Sequence, residues 1–103
     1  MSKLVKVASV SELLAGECKV VDAEGQSIAL FNVDGTFSAI DNTCTHVGGP
    51  LGEGALIDDT VSCPWHGAAF NVKTGACTGG PAASDVKSFA VKVEGDDVLV
   101  ELD

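Results

Sequence analysis

Short apolar alternations separated by glycine-centred turns constrain this chain more than any other feature. Val5 and Val7, Ile28 and Leu30, then Phe89, Val91 and Val93, then Val98, Val100 and Leu102 place apolar side chains two residues apart, the period of a strand. Turn signals fall between these runs at Glu24-Gly25, Asp34-Gly35, Thr74-Gly75 and Gly95-Asp96-Asp97, and the second joins "SIALFNV" to "TFSAI". Only "SVSELLAGEC" departs from the pattern: Ser11 is placed to cap one helical turn running through Leu14 and ending at Gly16. The expected fold is all-β, a small antiparallel sandwich or barrel. No linker or low-complexity tract interrupts it. The 103 residues are read as a single domain, 1–103, long enough to bury a core without a disulfide framework.

Charge narrows the function. Fifteen acidic against six basic residues give a formal charge of −9, which repels nucleic acid and anionic membrane and attracts a partner with a basic face. No stretch approaches the roughly 18 uncharged apolar residues of a membrane span. The N-terminal "MSKLVK" has lysines but no apolar core or cleavage site of a secretory signal, so a reducing cytoplasm is the expected setting.

The stretch "CTHVGGPLGEGALIDDTVSCPWHG" carries the chemistry. Cys44 and His46 form one pair and Cys63 and His66 a second, each following a strand-like run and opening into a loop with glycine and proline. Thiolate and imidazole together admit a soft or borderline metal, an iron–sulfur cluster or thiol chemistry. Structural zinc prefers Cys-x2-4-Cys with His-x3-5-His or four cysteines, whereas here each loop gives one of each type, with sixteen residues between His46 and Cys63. Cys/His nucleophilic catalysis leaves the second pair unused, and a Cys44–Cys63 disulfide leaves both histidines idle.

Cys44-Thr45-His46 followed by Cys63-Pro64-Trp65-His66-Gly67 resembles the Cys-x-His … Cys-x2-His signature of Rieske [2Fe–2S] proteins. The likeness extends over essentially the whole chain, through "GGPLGEG", "TGACTGGPAAS" and the closing hairpin, and is to the small soluble ferredoxins of bacterial ring-hydroxylating oxygenase systems. It implies a Rieske-type sandwich or barrel with two cluster-binding loops, about 43–54 and 62–70, at one tip. It implies one [2Fe–2S] cluster, with Cys44 and Cys63 on the inner iron and His46 and His66 on the outer. The implied role is that of a one-electron carrier, not an enzyme, between an NAD(P)H-dependent flavoprotein reductase and a terminal Rieske non-haem iron oxygenase acting on aromatic compounds. A small-subunit-like partner of a nitrite reductase is the second reading within the redox class. A zinc-stabilised binding module is the rival from another.

The ligand set makes electron acceptance easier than four thiolates do. Two ferric ions, two sulfides, two thiolates and two neutral imidazoles sum to zero, and Rieske centres span roughly −150 to +300 mV against about −400 mV for plant-type clusters. Rieske subunits of respiratory complexes carry a further cysteine in each loop, joined as a disulfide, and a serine and a tyrosine that donate to sulfur. This chain has Gly49 and Trp65, and Ala68 and Phe70, at those places. Fewer donors stabilise the reduced cluster less, which implies a potential at the low end of the range and, with no N-terminal anchor seen, a role away from quinol oxidation. His46 and His66 are the implied exit for the electron. Loss of a proton from their distal nitrogens would lower the potential as pH rises, and a potential flat from neutral to strongly alkaline pH contradicts this.

Other residues have plainer roles. Trp65 is read as a lid over the cluster, and Pro81 as part of a third covering loop. Cys18 and Cys77 are read as separate thiols, one in a strand and one in a loop, that the cluster does not need. Asp41, Glu53, Asp58 and Asp59 either steer a basic partner or form ordinary solvated surface. The glycines at 48, 49, 52 and 54 lack the Gly-Lys-Ser/Thr ending of a phosphate loop and instead allow close packing over the cluster.

Overall fold

The computed structural model describes residues 3–42, 51–64, 68–79 and 84–102. Its strands are β1 (Lys3–Ser9), β2 (Cys18–Ala23), β3 (Gln26–Val33), β4 (Thr36–Asp41), β5 (Ala55–Ile57), β6 (Thr60–Ser62), β7 (Ala69–Asn71), β8 (Cys77–Gly79), β9 (Ser88–Phe89), β10 (Val91–Glu94) and β11 (Asp97–Leu102). They form three antiparallel sheets, ordered β1-β11-β10, β2-β3-β4-β9 and β5-β6-β7-β8. The all-β expectation holds.

Local chemistry explains the hairpins. At Glu24-Gly25 and Asp34-Gly35 both central residues have positive φ, 52° and 86° in the first and 52° and 93° in the second. That is the two-residue turn whose twist matches paired strands, and glycine takes its second position without a Cβ clash. At Gly95-Asp96 only the glycine is left-handed, at 61°, and Asp97 is already the first residue of β11, paired with Glu94. A further hairpin lies at a turn that carries no glycine. Asp58, at φ 54°, turns β5 into β6, and aspartate tolerates this conformation better than most residues do.

The middle sheet is buried on both faces. Ile28 and Leu30 of β3 pack with Leu13, Val98, Val100 and Leu102, while the intervening Ala29 and Phe31 pack with Val61, Cys63 and Phe70. All four β3 residues are fully buried. One apolar phase of β3 therefore faces the first sheet and the other the third, giving three layers. Burying each large apolar side chain contributes about 1.5–3 kcal/mol. The run Phe89, Val91, Val93 is not one strand: Phe89 pairs with Ala39 of β4, Val91 pairs with Val100 of β11, and Ala90 is the crossing point, its carbonyl accepting from Glu101 N at 2.9 Å.

The helical turn is shorter and earlier than expected. A 3-10 turn covers Val10–Glu12, and Ser9 rather than Ser11 precedes it, its N–H donating to Glu12 Oε1 at 3.0 Å. The reason is spacing, because Glu12 lies three residues after Ser9 and reaches back to its amide. Leu13 then turns inward and is buried, with its carbonyl accepting from Asn32 Nδ2 at 2.8 Å. Among the described residues no helix is long and apolar enough to cross a membrane.

Candidate metal centre

Three connections are closed by hydrogen bonds at their bases. Between β4 and a second 3-10 turn, Leu51–Glu53, the Asn42 carbonyl accepts from Leu51 N at 2.7 Å and Asn42 Oδ1 from Gly52 N at 2.7 Å. Between β6 and β7, Cys63 N donates to the Ala68 carbonyl at 2.7 Å. Between β8 and β9, Cys77 N donates to Asp85 Oδ1 at 2.8 Å, and Val86 N donates to the Gly75 carbonyl at 2.8 Å. The first two bases touch, since Gly54 lies so close to the Ser62 carbonyl that a Cβ on it would overlap that oxygen. The chain thus returns from the segment that carries the candidates Cys44 and His46 directly beside the residue preceding Cys63.

Of the four ligand candidates, Cys63 lies among the described residues, whereas Cys44, His46 and His66 lie outside them, as do Gly48, Gly49, Trp65 and Pro81. Cys63 is a free cysteine, 3 % exposed, in the apolar layer with Leu51, Val61, Ala68 and Phe70. Its amide is already committed to Ala68. Ala68 and Phe70 are both fully buried and bring no hydroxyl donor to this layer. This environment fits a [2Fe–2S] cluster of the Cys/His type. The thiol sits at the head of its loop in a water-poor layer, and two thiolates with two neutral imidazoles make a neutral oxidised cluster, the form that such a layer tolerates best.

The remaining cysteines are free and half-buried, and both lie in strands, Cys18 in β2 and Cys77 in β8 rather than a loop. Cys77 belongs to a strand because its residue pairs with Phe70. Cys18 Sγ donates to the Gly54 carbonyl at 3.4 Å. Burial, and secondarily the neighbouring Glu17 carboxylate, push the Cys18 thiol above its ordinary pKa.

The four acids singled out in the sequence divide by position. Asp41 and Glu53 flank the first loop, Asp41 N donating to the Lys87 carbonyl at 2.8 Å and Glu53 lying exposed. Asp58 and Asp59 sit on the β5–β6 turn, at the other end of β6 from Cys63. Asp59 is partly structural, since its carbonyl accepts from Val72 N at 2.8 Å and its carboxylate from Asn71 Nδ2 at 3.5 Å. A groove of about 690 Å³ opens at that same far end, lined by Gly16, Val33, Asp34, Leu56, Asp58 and Lys73 among others. Among the described residues its lining includes no ligand candidate. What sequence reasoning missed is the clasp at Asn42, whose signal is an Asx residue just after a strand, a common turn former.

Comparison with known proteins agrees with this picture. The family model described as "Rieske [2Fe-2S] domain" matches residues 3–90. The ferredoxin component of biphenyl 2,3-dioxygenase from Rhodococcus jostii (strain RHA1) is 42 % identical over 97 % of this chain and 94 % of its own length. A Sphingomonas yanoikuyae B1 ferredoxin superposes with TM-score 0.91 at 29 % identity, covering 98 % of this chain and 100 % of that one. A chain from the complex of reduced oxygenase and oxidised ferredoxin in carbazole 1,9a-dioxygenase superposes with TM-score 0.88 at 36 % identity, over 94 % and 91 % of the two chains. A Rieske-type [2Fe–2S] cluster is therefore its cofactor, and the zinc module falls away. On fold, cofactor environment and sequence together, the chain belongs to the Rieske [2Fe–2S] family, among the ferredoxins of aromatic-ring dioxygenase systems.

Proposed function

We propose that this protein is a one-electron carrier that takes electrons from an NAD(P)H-dependent flavoprotein reductase and passes them to a terminal Rieske non-haem iron oxygenase of aromatic substrates. In this reading Cys44 and Cys63 bind one iron and His46 and His66 the other. The observation that carries the functional reading is the near end-to-end match to a dioxygenase ferredoxin component, 97 % of this chain against 94 % of the relative. The likeness is to an electron-transfer component, and the oxygen chemistry belongs to its partner.

When bound, the cluster supplies a one-electron couple within roughly −150 to +300 mV. The protein's own part is to seat and tune it. Cys63 offers its sulfur from a buried position, its amide is turned to Ala68 instead, and Ala68 and Phe70 offer no hydroxyl. This supports a potential at the low end of the range, suited to a carrier fed from a pyridine nucleotide through a flavin. A net charge of −9 supports steering toward basic faces on reductase and oxygenase, and the cytoplasm, where NAD(P)H is made, is the setting that the reading requires.

Reconstitution tests it. With a flavoprotein reductase and a terminal oxygenase of an aromatic-ring dioxygenase system, NADH-dependent hydroxylation of an aromatic substrate should depend on the carrier and saturate with its concentration. Equal turnover without it, together with no reduction of the carrier by the flavoprotein, would overturn the reading.

A further inference from the structure

We propose that Asn42 is the positioning residue of the first ligand loop, a buried clasp that fixes both ends of the segment carrying Cys44 and His46. This rests on the reading of those two residues as cluster ligands. Asn42 directly follows Asp41, the last residue of β4, and is 9 % exposed, and each of its polar groups is engaged. Its N–H donates to the Ser27 carbonyl at 3.2 Å and its own carbonyl accepts from Leu51 N at 2.7 Å. Its side-chain Oδ1 accepts from Gly52 N at 2.7 Å and Nδ2 donates to Ser27 Oγ at 3.1 Å. The orientation of the amide follows from its partners, since only the oxygen can face an N–H donor.

Two of these bonds span the loop. Residues 43–50 leave the sheet at Asn42 and return at Leu51 and Gly52, both buried, so one residue holds departure and return together. The other two bonds tie that base to Ser27 at the start of β3, the strand buried between layers. Cys44 is only two residues along the chain from Asn42, so a ligand there is attached directly to the clasp. The return side is built for the same contact. A Cβ on Gly52 would lie 2.6 Å from Val20 Cγ2 and 3.0 Å from Asn42 Oδ1, so only glycine brings its amide this close. An aspartate at 42 would keep the acceptor but lose the amide donor to Ser27, and an apolar residue would leave the buried Gly52 N–H without its acceptor.

The test compares Asn42→Leu, which removes both side-chain bonds, with Ser27→Ala, which removes only the Nδ2 partner and leaves the loop closed. Purified holoprotein is challenged with an iron chelator and the loss of visible absorbance followed. Far-UV circular dichroism melts of the same holoproteins run beside it. Asn42→Leu should release the cluster about 10–100-fold faster, the range for loss of a residue that supports a metal ligand. Ser27→Ala should stay within about threefold, and Asn42→Asp should recover most of the retention because it still accepts from Gly52 N. Wild-type release from Asn42→Leu, or equal acceleration by Ser27→Ala, would overturn the proposal. Should Asn42→Leu not fold, hydrogen–deuterium exchange of wild-type holoprotein decides: protection at residues 51–52 matching that of β4 supports the clasp, and free exchange there refutes it. Cys44→Ser separates the two layers of the argument. Full iron content in that variant sinks the ligand assignment, whatever Asn42 does.

Discussion

Replacing Gly54 with alanine should strain the contact that sets the 3-10 turn Leu51–Glu53 beside the end of β6, the bases of the two candidate ligand loops. The added methyl would overlap the Ser62 carbonyl oxygen and stand 3.1 Å from its carbon and 3.2 Å from Val61 Cγ2. The obstacle is not the end of a flexible side chain. Ser62 is held on both sides, paired with Ala55 in β5 and with Ala69 in β7, and Gly54 itself is tethered by the Cys18 thiol on its carbonyl. Relief must come from moving backbone, either the 3-10 turn or the end of β6 that leads into Cys63. Overpacking costs about 1–3 kcal/mol, and a strand carbonyl as the obstacle puts this case near the top, at about 3 kcal/mol. For a domain of this size each kcal/mol lowers the melting temperature by about 4–8 °C, so a fall of about 12–24 °C is expected. Circular dichroism melts of the cluster-free chain measure it, with Gly79→Ala as control, since a Cβ there meets nothing within 4 Å. A Gly54→Ala melt within about 4 °C of wild type would refute the packing argument.

Three other outcomes follow from the same structure. Phe70→Tyr adds a hydroxyl where high-potential relatives have one; a bond worth about 1–2 kcal/mol more in the reduced state raises the potential by about 40–90 mV, and an unchanged or lower value in protein-film voltammetry contradicts it. Cys18, its thiol pKa raised by burial and then by Glu17, should react with iodoacetamide at pH 8 more slowly in the folded chain than in urea. The stability from its neutral form is complete below the ordinary thiol pKa and is lost as pH rises through the raised one, so equal alkylation rates would argue against it. The double variant Cys18→Ala/Cys77→Ser should keep its full iron content while Cys63→Ala loses it, and iron analysis that reverses this order removes Cys63 from the site.

The class of fold and the chemistry of the site were legible because they are written locally. Paired turn residues at Glu24-Gly25 and Asp34-Gly35 set hairpins through their own backbone preferences, and four ligand candidates declare themselves by residue type and spacing. Layering was not legible, because Ala29 and Phe31 occupy the second phase of a strand whose first phase already satisfies a two-layer reading. Nor was the break at Ala90, since an unbroken alternation does not reveal that its halves pair with different sheets. The Ser9–Glu12 cap and the Asn42 clasp depend on which partner a side chain meets. For Asn42 those partners are fifteen residues away at Ser27 and ten at Gly52.

The central claim, a [2Fe–2S] cluster bound by two cysteines and two histidines, is tested most directly by electron paramagnetic resonance of the purified protein before and after dithionite reduction. The account predicts a silent oxidised state and, on reduction, a rhombic signal whose average g lies below that of all-cysteine clusters. A colourless protein silent in both states, or a reduced signal of the all-cysteine type, would contradict it.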